Sequence, residues 1–300
     1  MNKKQFIAIG VALAAVLALY FGTSNVKPAK RNAAAHTENH DGHDHDGHDH
    51  AEHQPAGMMA GPQVKAADFD SLLADVKRRL LSPQVNAELN DLVDAAESAK
   101  TNQEKFTAYE TLGKRWQAIG YKGIAAYYFQ KAGDLESSEK ILNFAAHLYE
   151  EGMNATDNAS VRQLYAEGRV AALSKVVAVN PNNDTAVIDL AIARMEMGDV
   201  MNGVFALRDF AEKHPNNIRA QVTLGKMALQ SNQPEKAIER ANIILALDKD
   251  HFETHLFLGE AYRMKGDIDK AIEVFNRAKE ILKNPDFDKD MDAYIATFKK

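Results

Sequence analysis

Residues 252–285 read FETHLFLGEAYRMKGDIDKAIEVFNRAKEILKNP, and the order of large and small residues in this stretch decides the fold. Leu258-Gly259 is followed by Tyr262, Gly266, Ala271, Phe275 and Ala278. Apolar residues recur at helical spacing on both sides of Gly266, which predicts two helices broken by a turn. Counting back by 34 residues from Leu258 reaches Leu224 and then Leu190, followed by the small residues Gly225 and Ala191. Gly203, Ala237 and Ala271 hold the same register, and so do Gly198, Asn232 and Gly266. A fixed period carried by small residues at matched places marks an internal repeat.

Working outward, residues 106–139 fit the same pattern through Tyr109, Leu112-Gly113, Trp116, Gly120, Ala125, Phe129 and Ala132. Units 184–217 and 218–251 are in phase but weaker, with Pro215 ending the former. These residues and their spacing resemble the tetratricopeptide repeat family over about 180 of 300 residues. The resemblance implies an all-α fold in which antiparallel helix pairs stack into a right-handed superhelix with a concave groove. Small residues at the eighth and twentieth places let the two backbones of a pair approach closely. No unit covers its own apolar face, so stacking is obligatory.

The middle departs from the period. Gly113 to Ala191 spans 78 residues, ten more than two repeats, so the unit at 140–183 carries the excess. The excess is expected in a loop over Gly152–Asn158 and in a lengthened second helix, Ser160–Val179. Ahead of the repeats, Phe69, Leu72, Leu73, Val76 and Leu80 form one helical stripe and Val85, Leu89, Leu92, Val93 and Ala96 another. Ser82-Pro83 between them is an N-cap followed by a first-turn proline, so residues 67–100 read as a helical hairpin. The solenoid is expected over 103–285. Phe287, Met291, Tyr294, Ile295 and Phe298 make 286–300 a terminal capping helix.

Residues 6–21, FIAIGVALAAVLALYF, carry no charge and follow Lys3 and Lys4. A helix of that length rises roughly 24 Å, close to the hydrocarbon core. Residues 1–22 therefore read as a transmembrane anchor with the body exported to the periplasm; cleavage near Gly22-Thr23-Ser24, leaving a soluble periplasmic protein, is the other reading. Residues 23–66 have almost no large apolar side chains and read as a disordered linker. The chain has no cysteine, which removes disulfides, thiolate metal sites and cysteine nucleophiles. Its net charge of −6 includes five cations in residues 1–35 and six acids in 36–53, leaving −5 for residues 54–300. That balance disfavours nucleic acid as a partner.

Two places could carry chemistry. In tetratricopeptide repeats the groove is lined by the second, fifth, ninth, twelfth and thirteenth places of each first helix. Carried onto this chain, those places include Thr107, Glu110, Lys114 and Gln117; Ile188, Ile192 and Met195; Arg219, Val222, Lys226 and Leu229; and Glu253, Leu256, Glu260 and Arg263. The mixture suggests a protein or peptide with apolar anchors, or self-association. Some of these side chains can equally pack against a neighbouring unit. The fifth and ninth places, Glu110/Lys114, Ile188/Ile192, Val222/Lys226 and Leu256/Glu260, lack the lysine-and-asparagine carboxylate clamp of the chaperone-binding members.

The second place is the linker, where His36, His40, His43, His45, His48, His50 and His53 put seven of eleven histidines into eighteen residues. Imidazoles and carboxylates on a flexible chain suit zinc, copper or nickel, or serve as a spacer that gains charge below neutral pH. His251 and His255 are four apart, but the first falls at an inter-repeat turn and the second at a packing place. Phosphate-loop and serine-elbow motifs are missing, and Asp267 and Asp269 sit in a turn. No cofactor and no catalytic residue is expected. The sequence reads as a non-catalytic membrane-tethered scaffold that assists assembly of another envelope protein, the alternative being a metal-handling envelope protein that uses its histidine segment.

Overall fold

The computed structural model describes residues 64–299, which form thirteen α-helices, a terminal 3-10 turn and, among the described residues, no strand. The apolar leader and the histidine-rich segment lie outside the described residues. The helices run α1 Phe69–Leu80, α2 Pro83–Ser98, α3 Asn102–Ala118, α4 Lys122–Glu136, α5 Glu139–Asn154, α6 Ala159–Val179 and α7 Asp184–Glu196. They continue as α8 Val200–Lys213, α9 Ile218–Gln230, α10 Pro234–Leu247, α11 Phe252–Lys265, α12 Ile268–Leu282 and α13 Pro285–Ile295. The chain divides into two compact units between Ile281 and Leu282.

Local chemistry starts the first helix of each of the four regular units. The side chains of Thr101, Asn183, Asn217 and His251 accept the backbone N–H of Glu104, Ala186, Ala220 and Thr254, satisfying donors that a helix start leaves orphaned. Thr101 and Glu104 complete a capping box. The break between the two helices of a pair falls at the fifteenth place of its unit, where Gly120, Gly198 and Gly266 have φ of +91°, +91° and +87°. Asn232 takes that place in the remaining regular unit with φ +54°. The left-handed region is open to glycine and tolerated by asparagine, which is why only those residues occur there.

Packing follows the small residues. A Cβ on Gly113 or Gly259 would meet the ring of Phe129 or Phe275 at 2.8 or 2.7 Å, and one on Gly203 would meet the Ala191 carbonyl oxygen at 2.6 Å. The eighth and twentieth places are therefore close-approach positions, as their residue types led one to expect. Consecutive helices pack from α2 through α11, and α9 also packs on α11. The interior includes Trp116, Leu112, Ile124, Leu142, Leu148, Leu207 and Ile244, all fully buried.

The long unit differs from its expected form. Helix α5 continues through Gly152 to Asn154, and only residues 155–158 separate it from the 21-residue α6. Gly152 is helical because it is a contact point: a Cβ there would stand 2.8 Å from the Cα and N of Gly123 in α4. Tyr165 of α6 covers Gly123, and Tyr149 of α5 covers Gly168. Three glycines and two tyrosines thus lock α4, α5 and α6, and the excess residues lengthen helices more than the loop. Burial raises the pKa of the Tyr149 and Tyr128 phenols well above the ordinary value, and that of Tyr165 to about 12. The Tyr149 hydroxyl donates to Gln130 Oε1 at 2.9 Å.

The leading hairpin forms, but its stripe is shorter than expected: Val76 is buried while Leu80 is 65% exposed. Asn86 Nδ2 donates to the Lys77 carbonyl at 2.7 Å and Lys77 Nζ donates to Asn90 Oδ1 at 2.9 Å, tying α1 to α2. In the other compact unit, α13 is capped by Asn284, which accepts the N–H of Asp286 and Phe287. A 3-10 turn, Ala296–Lys299, follows it, and Tyr294 meets Phe298 edge-on with ring centroids 4.9 Å apart.

Candidate functional site

The groove positions inferred from the sequence fall on α3, α7, α9 and α11. Ile188 and Val222 are buried, at 1% and 7% exposure. Ile188 belongs to the cluster of Ala191, Leu207 and Phe210, and Val222 to that of Ile244 and Phe257. Packing in these clusters places both between helices, so neither presents a side chain to a ligand. Ile192 and Met195 are half-buried against the first of these clusters, Leu229 is half-buried against the second, and Leu256 is also half-buried. Thr107, Lys114, Arg219 and Glu253 are exposed, and Glu110, Gln117, Lys226, Glu260 and Arg263 are partly so.

The charges at these positions pair with one another. Lys226 Nζ on α9 bonds Glu253 Oε1 on α11, and Arg219 on α9 bonds Asp189 Oδ1 on α7. Arg263 Nε donates to both Glu260 oxygens at 3.0 Å, and Lys114 Nζ stands 3.0 Å from Glu110 Oε1. The two inter-helix pairs join α7, α9 and α11 into one face. Each is half-exposed, so it fixes alignment more than it stabilises, at about 0 to 1 kcal/mol. What remains for a ligand is a face whose charge is neutralised internally and whose apolar members are Ile192, Met195, Leu229 and Leu256. Asp189 was not legible as part of it, because the sixth place is not one of the places the repeat pattern assigns to the groove. Its spacing of 30 residues from Arg219 was the available signal.

Elsewhere, the buried guanidinium of Arg169 on α6 donates to Glu196 Oε2 on α7 at 2.6 Å and lies 3.4 Å from Glu150 Oε2 on α5. It bridges the long unit to the next one. His251 caps α11, and the buried His255 places Nδ1 3.1 Å from the His251 carbonyl oxygen, so both have packing roles. Among the described residues there is no group of three His, Asp or Glu side chains that could hold a metal ion. Among them, too, no helix is long and apolar enough to cross a membrane. His36, His40, His43, His45, His48, His50 and His53 lie outside the described residues.

The repeat register, the left-handed break at each fifteenth place and the glycine contacts together define the helix pairs. Residues 222–285 match the tetratricopeptide repeat family. No curated protein matches the chain. Among solved structures, the chain is similar to MamA at 19% identity, covering 60% of this chain and 93% of that one with a TM-score of 0.47. MamA from Desulfovibrio magneticus RS-1 gives 20% identity, 61% and 97% coverage, and a TM-score of 0.47. YrrB, described as a tetratricopeptide-repeat protein with an unusual peptide-binding site, gives 16% identity, 65% and 94% coverage, and a TM-score of 0.45. Likeness at this level carries no functional argument.

Proposed function

We propose that this chain is a non-catalytic scaffold that binds a segment of another protein on the face formed by α7, α9 and α11. The repeats wind as a right-handed superhelix with this face on the concave side. Residues 6–21 hold the chain at a bacterial inner membrane, with the repeats in the periplasm, and the linker raises the local concentration of a membrane-bound or envelope partner. The observation that carries the reading is the internal pairing of Arg219 with Asp189 and Lys226 with Glu253 around four half-buried apolar side chains. A ligand that needed a charged clamp would find these cations engaged. A ligand with apolar anchors would find Ile192, Met195, Leu229 and Leu256 partly accessible and aligned.

The direct test is a triple change of Ile192, Met195 and Leu256 to serine in the full chain, followed by quantitative recovery of proteins captured from intact cells. Loss of a specific captured protein with unchanged helix content supports the reading. Equal capture by the variant removes the face from the account.

A further inference from the structure

Helix α1 is seated on an aromatic surface. Phe69 lies flat on Tyr127 of α4 with ring centroids 3.6 Å apart and meets Tyr128 edge-on at 6.2 Å. Leu72 and Leu73 enter the same cluster, together with Tyr109 of α3 and Leu164 of α6. Lys131 Nζ stands 5.3 Å and 4.9 Å from the ring centres of Tyr109 and Tyr127, and Asp70 acts on this ammonium electrostatically. Ala67 N–H donates to the Ser160 carbonyl at 2.8 Å.

The plain reading is that α1 is one more piece of the core. The repeat register argues against it. Tyr127 holds the twenty-second place of its unit, and that place is Phe205, Glu239 and Glu273 in units 184–217, 218–251 and 252–285. Phe205 is 56% exposed, and Glu239 and Glu273 are exposed. A cover over this place is therefore no requirement of the repeat. Helix α1 is also a weak element in itself, with twelve residues of which Val76 alone is buried. A helix of that length does not persist without a surface to hold it. Its outer side pairs internally, Asp75 with Arg78 and Arg79. Leu81 and Ser82 are its whole connection to α2.

We propose that the surface of Tyr109, Tyr127, Tyr128 and Lys131 is a binding site for an amphipathic helix of a partner protein, and that α1 occupies it as an internal competitor. The partner helix repeats the pattern of Phe69, Asp70, Leu72, Leu73 and Val76. Its aromatic residue stacks on Tyr127, its acid faces Lys131, and its aliphatic residues cover Tyr128 and Leu164. Binding at this site is regulated by how firmly α1 is seated, since an occluded site lowers apparent affinity by the fraction of time it is closed. The site is separate from the α7, α9 and α11 face, because Tyr109 lies on α3 and Tyr127, Tyr128 and Lys131 lie on α4. Either can fail with the other intact.

The probe is a fluorescein-labelled peptide of residues 66–81, AADFDSLLADVKRRLL, titrated by anisotropy into the full chain. Phe69→Ser with Leu73→Ser unseats α1, and the expected result is binding at least about tenfold tighter than to the wild type. Adding Tyr127→Ala to that background removes the gain. Should the double variant lose helix content, Asp70→Lys carries the test, because it sets a like charge against Lys131 while keeping every apolar contact; a gain of about threefold is then expected. Peptide binding that is absent from folded open variants, equal in wild type and open variants, or indifferent to Tyr127 overturns the proposal. Loss of helix in both open variants overturns it too, because α1 is then core.

Discussion

Changing Gly152 to alanine probes the joint on which the long unit depends. Mid-helix alanine is ordinarily favoured over glycine by about 1 kcal/mol, so an unobstructed site would gain stability. Here the new Cβ would stand 2.8 Å from Gly123 Cα and N, and 3.2 Å from Tyr165 Cδ2. The first two obstacles are backbone, so no rotamer change relieves them, and α4 and α5 must separate by about 0.6 Å to reach ordinary contact. Overpacking of this kind costs about 1 to 3 kcal/mol and occasionally more, and the rigid partner places this case at about 3. The net loss is about 2 kcal/mol, or roughly 4 to 8 °C in melting temperature. Gly225→Ala is the matched control, since its Cβ meets the ring edge of Phe257 at 2.9 and 3.0 Å, which can tilt away, and Arg240 Cβ at an ordinary 3.5 Å. The assay is thermal denaturation of the full chain followed by circular dichroism at 222 nm. A Gly152→Ala chain as stable as wild type, or more stable, would refute the close approach of α4 and α5.

Two further outcomes follow from the same structure and a third from the sequence. Arg169→Ala is expected to cost about 1 to 2 kcal/mol in urea denaturation, mostly packing of the side-chain stem, while Arg169→Met keeps the stem and costs less than about 1, because Glu150 and Glu196 are half-exposed and can return to water. Burial raises the Tyr128, Tyr149 and Tyr165 phenols above their unfolded values, so the folded chain binds more protons than the unfolded chain once pH exceeds about 10. Stability is then full below that pH and falls by about 1.4 kcal/mol per tyrosine per pH unit, up to the folded pKa of each; a flat denaturation midpoint between pH 10 and pH 12 would contradict the burial of these rings. Calorimetric titration of zinc into the full chain is expected to give binding that is lost when His36, His40, His43, His45, His48, His50 and His53 all become serine, with partner capture unchanged by that loss; capture that requires zinc would instead make the histidine segment the working part.

The fold was legible because the repeat writes its packing into residue size. Gly113, Gly203 and Gly259 stand at close-approach places that the repeat fills with glycine or alanine, and Gly120, Gly198 and Gly266 stand where the backbone turns left-handed. Both are local demands that a sequence states directly. The long unit was misread at Gly152, because a glycine beside Met153 and Asn154 looks like a loop when the helix it touches, α4, is not in view. The candidate face was half legible. The family resemblance put Ile188 and Val222 on it, but a place shared between groove and interior is decided by neighbours on other helices, and Leu207, Phe210, Ile244 and Phe257 draw them inside. Charge pairing was harder still: Asp189 and Arg219, or Lys226 and Glu253, meet only because adjacent units stack in register.

The scaffold reading is tested most directly by placing a photo-crosslinking residue, one position at a time, at Ile192, Leu229 and Leu256, with Glu239 and Met201 as controls on the second helices of their units. The account predicts that the first three positions capture the same protein from intact cells and that the two controls do not. Capture of that protein equally from Glu239 and Met201, or of unrelated proteins at each of the first three positions, would contradict it.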